Sequence, residues 1–330
     1  MVVFGDTQDL VDTRAKPEVH DGLRVMIDWV LENREAQHID FVLHVGDAIQ
    51  RGLSLPLSPE CLDPAGRCDV ERKWTLRDRQ YPCGCLVLPV VDEEWRRFNR
   101  QWRRLDGQIP YAIVQGNHDN LGVTDPEAQL DRPGFAAHYG PSHYRSIPGS
   151  GLVGSHRDAQ GLSLAWRFAL GERQVLVIGS ADTLSPEGVD WARSTLDDHR
   201  GLPVIALAHR YFAGVPPDEA QPRRVWRQLV MRHPDRFALA IWGHVSLGEV
   251  RFIELGPDPL LRIRSNWQGH PSDRTFLNLI RFYPGPEGRD EVEVLAFDPV
   301  RGAQSFEEGL DRRAATRGRT WLPRRPLSLD

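Results

Sequence analysis

The chain has 330 residues, 40% of them hydrophobic and 26% charged, with a formal net charge of −5 and a pI near 6.2. This is a globular composition, enough for one large domain or two small ones. It leaves no overall basic field for nucleic acid, and no apolar run reaches the ~18 residues of a membrane span.

Residues 1–5 of the opening MVVFGD read as a short buried strand, and Asp6-Thr7-Gln8 stands where that strand would end. In open α/β sheets, ligands bind beyond the carboxyl ends of strands. No leader pattern precedes the strand, so a cytosolic protein and a trimmed, exported one both fit. Leu23, Met26, Ile27, Val30 and Leu31 follow helical spacing and predict an amphipathic helix over residues 20–36. Ile39–Val45 is a second buried strand, ended by Gly46-Asp47. Two apolar strands around a helix form a βαβ unit, which implies a parallel pair with a right-handed crossover. His44 falls on the alternation that points away from Asp47 and reads as structural.

Residues 51–90 are rich in Pro, Gly and Cys and show no clear period, so they read as an inserted loop, either a rim over a site or surface decoration. All four cysteines lie there: Cys61, Cys68, Cys83 and Cys85. Two disulfides would suit a periplasmic or secreted protein. Zinc is a rival, although C-x6-C-x14-C-x-C is not a usual zinc spacing. Free thiols, the third option, would suit the cytoplasm.

Trp95, Phe98, Trp102 and Leu105 mark a second helix, broken by Gly107-Gln108-Ile109-Pro110. A β-prone run from Tyr111 then stops abruptly in Gly116-Asn117-His118-Asp119. Asn117 offers an amide oxygen, a hard neutral metal ligand. His118 offers a proton near neutral pH, and Asp119 is placed to hold its ring. Residues 120–160 read as loop, with His138 and His143 either loop histidines or pocket lining.

Residues 162–170 and 173–180 flank Gly171-Glu172 as a hairpin. Ser185-Pro186-Glu187 starts a helix, with Ser as N-cap and Pro in the first position. Leu202–Ala208 is a buried strand ended by His209; residues 222–232 read as helix; Phe237–Trp242 is a strand ended by Gly243-His244. From residue 249 the strand-like runs VRFIEL, LLRIRSNWQ, FLNLIRFY and VEVLAF suggest an antiparallel edge or a second sheet. Residues 1–300 therefore read as one domain carrying the 51–90 insertion, and 301–330 as a loosely held Arg/Pro-rich tail.

Five strand ends thus carry polar groups: Asp6/Gln8, Asp47, Asn117/His118/Asp119, His209 and His244. Carboxylates, an amide oxygen and imidazoles at one sheet edge suit a pair of divalent transition metals. A carboxylate shared by two cations would bridge them at roughly 3.5–4 Å. No G-x-S-x-G elbow and no P-loop appear.

In this order and spacing the blocks resemble the calcineurin-like metallophosphoesterases, whose pattern is D-x-H, G-D, G-N-H-D/E, a lone His after a strand, and G-H-x-H. They stand here as Asp6-Thr7-Gln8, Gly46-Asp47, Gly116-Asn117-His118-Asp119, Ala208-His209 and Gly243-His244-Val245-Ser246. The D-T-Q block, Glu94-Trp95 and Asn266-Trp267-Gln268 look like a bacterial branch of that family.

The resemblance implies a four-layer α/β/β/α sandwich of the metallophosphoesterase type, two divalent ions (Mn, Fe or Zn), and hydrolysis of small-molecule or lipid phosphate mono- or diesters. It implies that Asp47 bridges both ions, that Asn117, His209 and His244 complete the second site, and that Asp6 and the Gln8 position serve the first. His118 would touch the phosphate or protonate the leaving group, with Asp119 orienting it. Gln8 and Ser246 replace family histidines at the first site, so that site should bind more loosely and favour a harder ion. Gln268 and His270 are candidate substitutes, although residues of this kind are more often surface or packing residues. A member that binds metal or a partner without turnover is the alternative.

Overall fold

The computed structural model describes residues 1–12, 17–50, 73–76, 79–82, 88–119, 134–158, 161–180, 184–210, 228–244, 249–255, 258–266, 275–284, 290–299 and 325–327. The four cysteines, Ser246, Gln268 and His270 lie outside this set, as does the greater part of the helix expected over 222–232.

In chain order the elements are β1 (Val2–Phe4), α1 (Gln8–Val11), α2 (Pro17–Asn33), β2 (Val42–His44), β3 (Lys73–Leu76), β4 (Arg79–Pro82), α3 (Leu88–Trp102), β5 (Tyr111–Ile113), α4 (Phe135–Tyr139) and α5 (Pro141–Ser146). Next come β6 (Leu152–Asp158), β7 (Gly161–Leu170), β8 (Arg173–Gly179), α6 (Pro186–Asp198), β9 (Val204–Leu207), β10 (Phe237–Trp242), β11 (Glu249–Leu255), β12 (Asp258–Arg264), β13 (Leu277–Pro284), β14 (Asp290–Phe297) and β15 (Arg325–Leu327). They form two mixed sheets, β15-β14-β13-β1-β2-β5 and β11-β12-β10-β9-β8-β7-β6, plus the β3-β4 hairpin. Within the first sheet β1, β2 and β5 are parallel, as the βαβ reading requires. Within the second, β8, β9, β10 and β12 are parallel.

Alternation along the second sheet shows how the layers stack. Val175, Val177, Ile205, Leu207, Leu239, Ile241, Leu261 and Ile263 join the large core shared with the first sheet. Their neighbours Leu176, Ile178, Val204, Ala206, Ala240 and Trp242 form a second cluster with Val189, Ala192 and Leu196 of α6. A strand buried on both faces reads as a continuous apolar run, which is why these segments lack a polar period. On the far side of the first sheet, Trp102 of α3 sets its ring edge against Phe4 of β1 and His44 of β2. The order is therefore helix, sheet, sheet, helix, the four-layer sandwich. α6 starts as expected: the Ser185 hydroxyl accepts from the Gly188 N–H at 3.0 Å, with Pro186 in the first turn.

Several expectations are corrected. The loop expected over 120–160 contains α4, α5 and β6 in its described part. These helices are too short to show a period, and they are held by buried Phe135, Tyr139 and Tyr144. The patternless insertion contains the β3-β4 hairpin, and α3 begins inside its expected boundary. In the described part of the helix expected over 222–232, Gln228 is helical and the stretch ends in a 3-10 turn, Val230–Arg232. Arg325–Leu327, expected to be loosely held, pairs antiparallel with β14. Among the described residues, no helix is long and apolar enough to cross a membrane.

Candidate metal centre

The parallel strands of both sheets end at one rim. β1 delivers Asp6, β2 delivers Asp47, β5 delivers Asn117 and His118, β9 delivers His209, and β10 delivers His244. Gly46 (φ 95°) and Asp47 (φ 54°) turn the chain sharply after β2, and His244 (φ 66°) does the same after β10. Left-handed backbone at a residue with a Cβ costs on the order of 1–3 kcal/mol and collects at sites where a side chain must be aimed.

His209, fully buried, is the hub. Its Nδ1–H donates to the Val45 carbonyl at 2.9 Å, which fixes the tautomer. Nε2 then faces Asn117 Oδ1 at 2.8 Å, Asp47 Oδ2 at 3.1 Å and His244 Nδ1 at 3.2 Å. Burial, reinforced by the neighbouring His209, pushes His244 down to about 4, so it meets this group as a neutral lone-pair donor at pH 7. Four electron-rich atoms so close together need a positive charge among them, either an imidazole proton or a metal cation. Ligand atoms of Asp47, His209 and His244 all lie within 4.8 Å of one another, a spacing that could hold a metal ion. The donor chemistry therefore fits the divalent ions that the sequence implies.

Asp6 sits beside this group. Its carboxylate accepts from the His244 N–H at 3.1 and 3.3 Å and from Asn266 Nδ2 at 2.6 Å. Burial drives its pKa well above the usual carboxylate range, against the pull of His209. A buried carboxylate without a cation is costly, and a bound metal removes that cost. Gln8 is buried at the start of α1, and its Oε1 has no hydrogen-bond partner among the described residues. An orphaned amide oxygen two residues past Asp6 is compatible with a further oxygen ligand.

One predicted contact is replaced by another. Asp119 does not hold the His118 ring. Its Oδ1 accepts from the Ala48 and Ile49 N–H groups at 2.8 and 3.2 Å, and its Oδ2 from Gly116 N–H at 2.8 Å. Asp119 thus staples the loop after β2 to the loop after β5. Burial, with Asp47 nearby, raises it to about 7. The His118 ring is held instead by the Gln50 carbonyl, which accepts from Nδ1 at 2.6 Å, while the His118 backbone N–H donates to Asp47 Oδ1 at 2.8 Å. Gln50 is itself anchored: its N–H donates to buried Glu94 of α3 at 3.1 Å.

Three further histidines make other contacts. His138 stacks on Trp95 and His143 bonds the Tyr111 hydroxyl, both within an aromatic cluster behind the rim. His44, as expected, faces away from the ligands; it accepts from Gly46 N–H at 3.0 Å and bonds Thr7 Oγ1 at 2.9 Å. Burial lowers His44 to about 3. The unfolded chain takes up this proton below about pH 6.5 while the folded protein refuses it, so His44 removes stability as pH falls from 6.5 toward 3. His44→Gln should be less stable than wild type at pH 7, and the gap should narrow by roughly 3 kcal/mol by pH 4. Urea unfolding at both pH values measures this; a constant gap would contradict it.

The sequence marked Asn266 and Glu94 only as part of blocks resembling a family branch and gave neither a place at the rim, and it did not point to the Gln50 carbonyl. Asn266 had a usable signal, since it is a polar residue just past the apolar strand β12. A main-chain acceptor has none.

What the two sheets build at their common rim places the chain among α/β proteins with a cradle suited to metal. More narrowly, residues 1–246 match the family model of the calcineurin-like phosphoesterases, and the chain belongs to that family. A dimetal phosphatase from Danio rerio shares the fold, at TM-score 0.51 and 13% identity over 90% of this chain and 98% of that one. GAP50, the anchor in the inner membrane complex of Plasmodium, aligns at TM-score 0.46 and 10% identity over 100% of this chain and 88% of that one. No curated protein matches the sequence.

Proposed function

We propose that this protein is a metal-dependent hydrolase of phosphate mono- or diesters on small molecules or lipids, working through a dinuclear centre. The observation that carries the reading is the convergence of Asp47, Asn117 and His244 on His209 Nε2, all within 3.2 Å at a buried rim. Family membership and the fold shared with a dimetal phosphatase agree with it. Asn117, His209 and His244 would hold one ion, Asp6 and Gln8 would serve the other, and Asp47 would be available to both. Bound there, divalent ions supply an activated water and neutralise the phosphoryl charge.

The chain's own residues do the rest. The Val45 carbonyl keeps the His209 lone pair turned inward. The His118 N–H and the Asp119 staple keep Asp47 in place. With Nδ1 of His118 committed to Gln50, its Nε2 is the nitrogen that meets a phosphate oxygen or passes a proton to the leaving alkoxide.

A second reading, a metal- or partner-binding protein without turnover, draws on Gln8 and Ser246 at positions where the family carries histidine. Stripping the protein of metal, reloading it with Mn²⁺, Fe²⁺ or Zn²⁺, and assaying an aryl phosphate and its bis-ester separates the two. Two bound equivalents with restored hydrolysis are expected. One equivalent or none, with no turnover under any metal, leaves the binding protein.

A further inference from the structure

Asp6 reaches the rim from the first sheet, yet what grips its carboxylate comes from the second. Asn266 follows β12 and is fully buried. Its Nδ2 donates to Asp6 Oδ2 at 2.6 Å, the shortest contact that carboxylate makes. The backbone beside it is tightly seated. Ser265 N–H donates to the Trp242 carbonyl at 2.8 Å, and the Ser265 carbonyl oxygen lies 2.6 Å from where a Cβ on Gly5 would stand. The end of β12 is therefore packed directly against the end of β1 and tied to β10. On the other oxygen, Oδ1, the only hydrogen-bond donor among the described residues is the longer arm of the His244 N–H, at 3.3 Å.

We propose that Asn266 is a positioning residue for the metal centre: by saturating Oδ2 of Asp6 it fixes the carboxylate's rotation and leaves Oδ1 as the oxygen presented to the first ion. The proposal rests on the dinuclear reading above. The choice of side chain is informative. A carboxylate in this place would be restrained as firmly by Arg or Lys, but their charge would occupy the cation's place. An amide N–H restrains it while remaining neutral. Ligating carboxylates are commonly held by such an outer partner, and loss of the partner typically lowers metal affinity about 10–100-fold.

The test is calorimetric titration of the metal-free full chain with Mn²⁺, for wild type, Asn266→Leu and Asn266→Ala. Leu keeps the side-chain size and removes the donor; Ala is the smaller alternative should Leu disturb folding, which circular dichroism and the unfolding midpoint monitor. Wild type is expected to take two equivalents. In the variants one equivalent should weaken about 10–100-fold while the other stays within about twofold. A purely structural residue would lower the unfolding midpoint and weaken both equivalents together, and that result, or two unchanged equivalents, overturns the proposal alone. Fewer than two equivalents in wild type overturns the dinuclear reading and this inference with it.

Discussion

Asp47→Asn is expected to lower the rate on an aryl phosphate by about 10³-fold or more, comparable to deleting a strong electrostatic element of a transition-state site. In the proposed centre this side chain is the carboxylate that would serve both ions. Oδ1 takes the His118 N–H, and Oδ2 lies 3.1 Å from His209 Nε2. Asparagine keeps the shape but loses the charge and one of the two oxygens, so it cannot serve two cations. Stability should fall as well. Burial raises the Asp47 carboxyl, but His209 and the His118 N–H outweigh it and hold the group below the usual carboxylate range, so its charge is favoured in the folded state. The metal-free variant should therefore unfold at a lower denaturant concentration than metal-free wild type at pH 7. Initial rates with Mn²⁺ present, paired with metal analysis, make the measurement. A variant that keeps two ions and the wild-type rate would remove Asp47 from the centre.

Gly116→Ala should damage both stability and activity. A Cβ at residue 116 would stand 2.2 Å from the Asp47 backbone nitrogen and 2.2 Å from its Oδ1. A backbone atom in a buried turn cannot swing aside as a flexible side chain can. Overpacking of this kind costs about 1–3 kcal/mol, and the upper end applies here because the Gly116 N–H is also pinned to Asp119 at 2.8 Å. Whatever relaxation occurs must displace Asp47, so metal content and hydrolysis fall with stability. Denaturant unfolding of the metal-free protein reads the first effect and metal analysis the second. Wild-type values for both would show that the two loops are not in the close contact described.

Much of the fold and most of the rim can be read in the sequence, for a physical reason. Val2–Phe4, Val42–His44, Tyr111–Ile113, Val204–Leu207 and Phe237–Trp242 are buried strands, so each shows as an apolar run, and the first polar residue after it marks a carboxyl end. Asp6, Asp47, His209 and His244 stand out on that basis, whereas Asn117 lies two residues past Gln115 and is marked by the Gly-Asn-His-Asp block instead. What stayed hidden depends on direction or on the main chain. Asp119 follows His118 in sequence and so suggested a partner for its ring, but adjacency does not fix where a side chain points. Three backbone N–H groups claim the Asp119 oxygens. The Gln50 carbonyl that does hold the ring has no residue signature at all. α4 and α5 span five and six residues, less than two turns, so no apolar period could develop.

The donors are drawn from both halves of the sandwich: Asp6, Asp47 and Asn117 ride on one sheet, His209 and His244 on the other. An ion held among them, as proposed, would act as a clasp over the seam between the layers, so loading the centre should stiffen the whole body as well as arm it. Deep substitutions that let one layer slip against the other would then be felt first as faster loss of the ion, long before the chain unfolds.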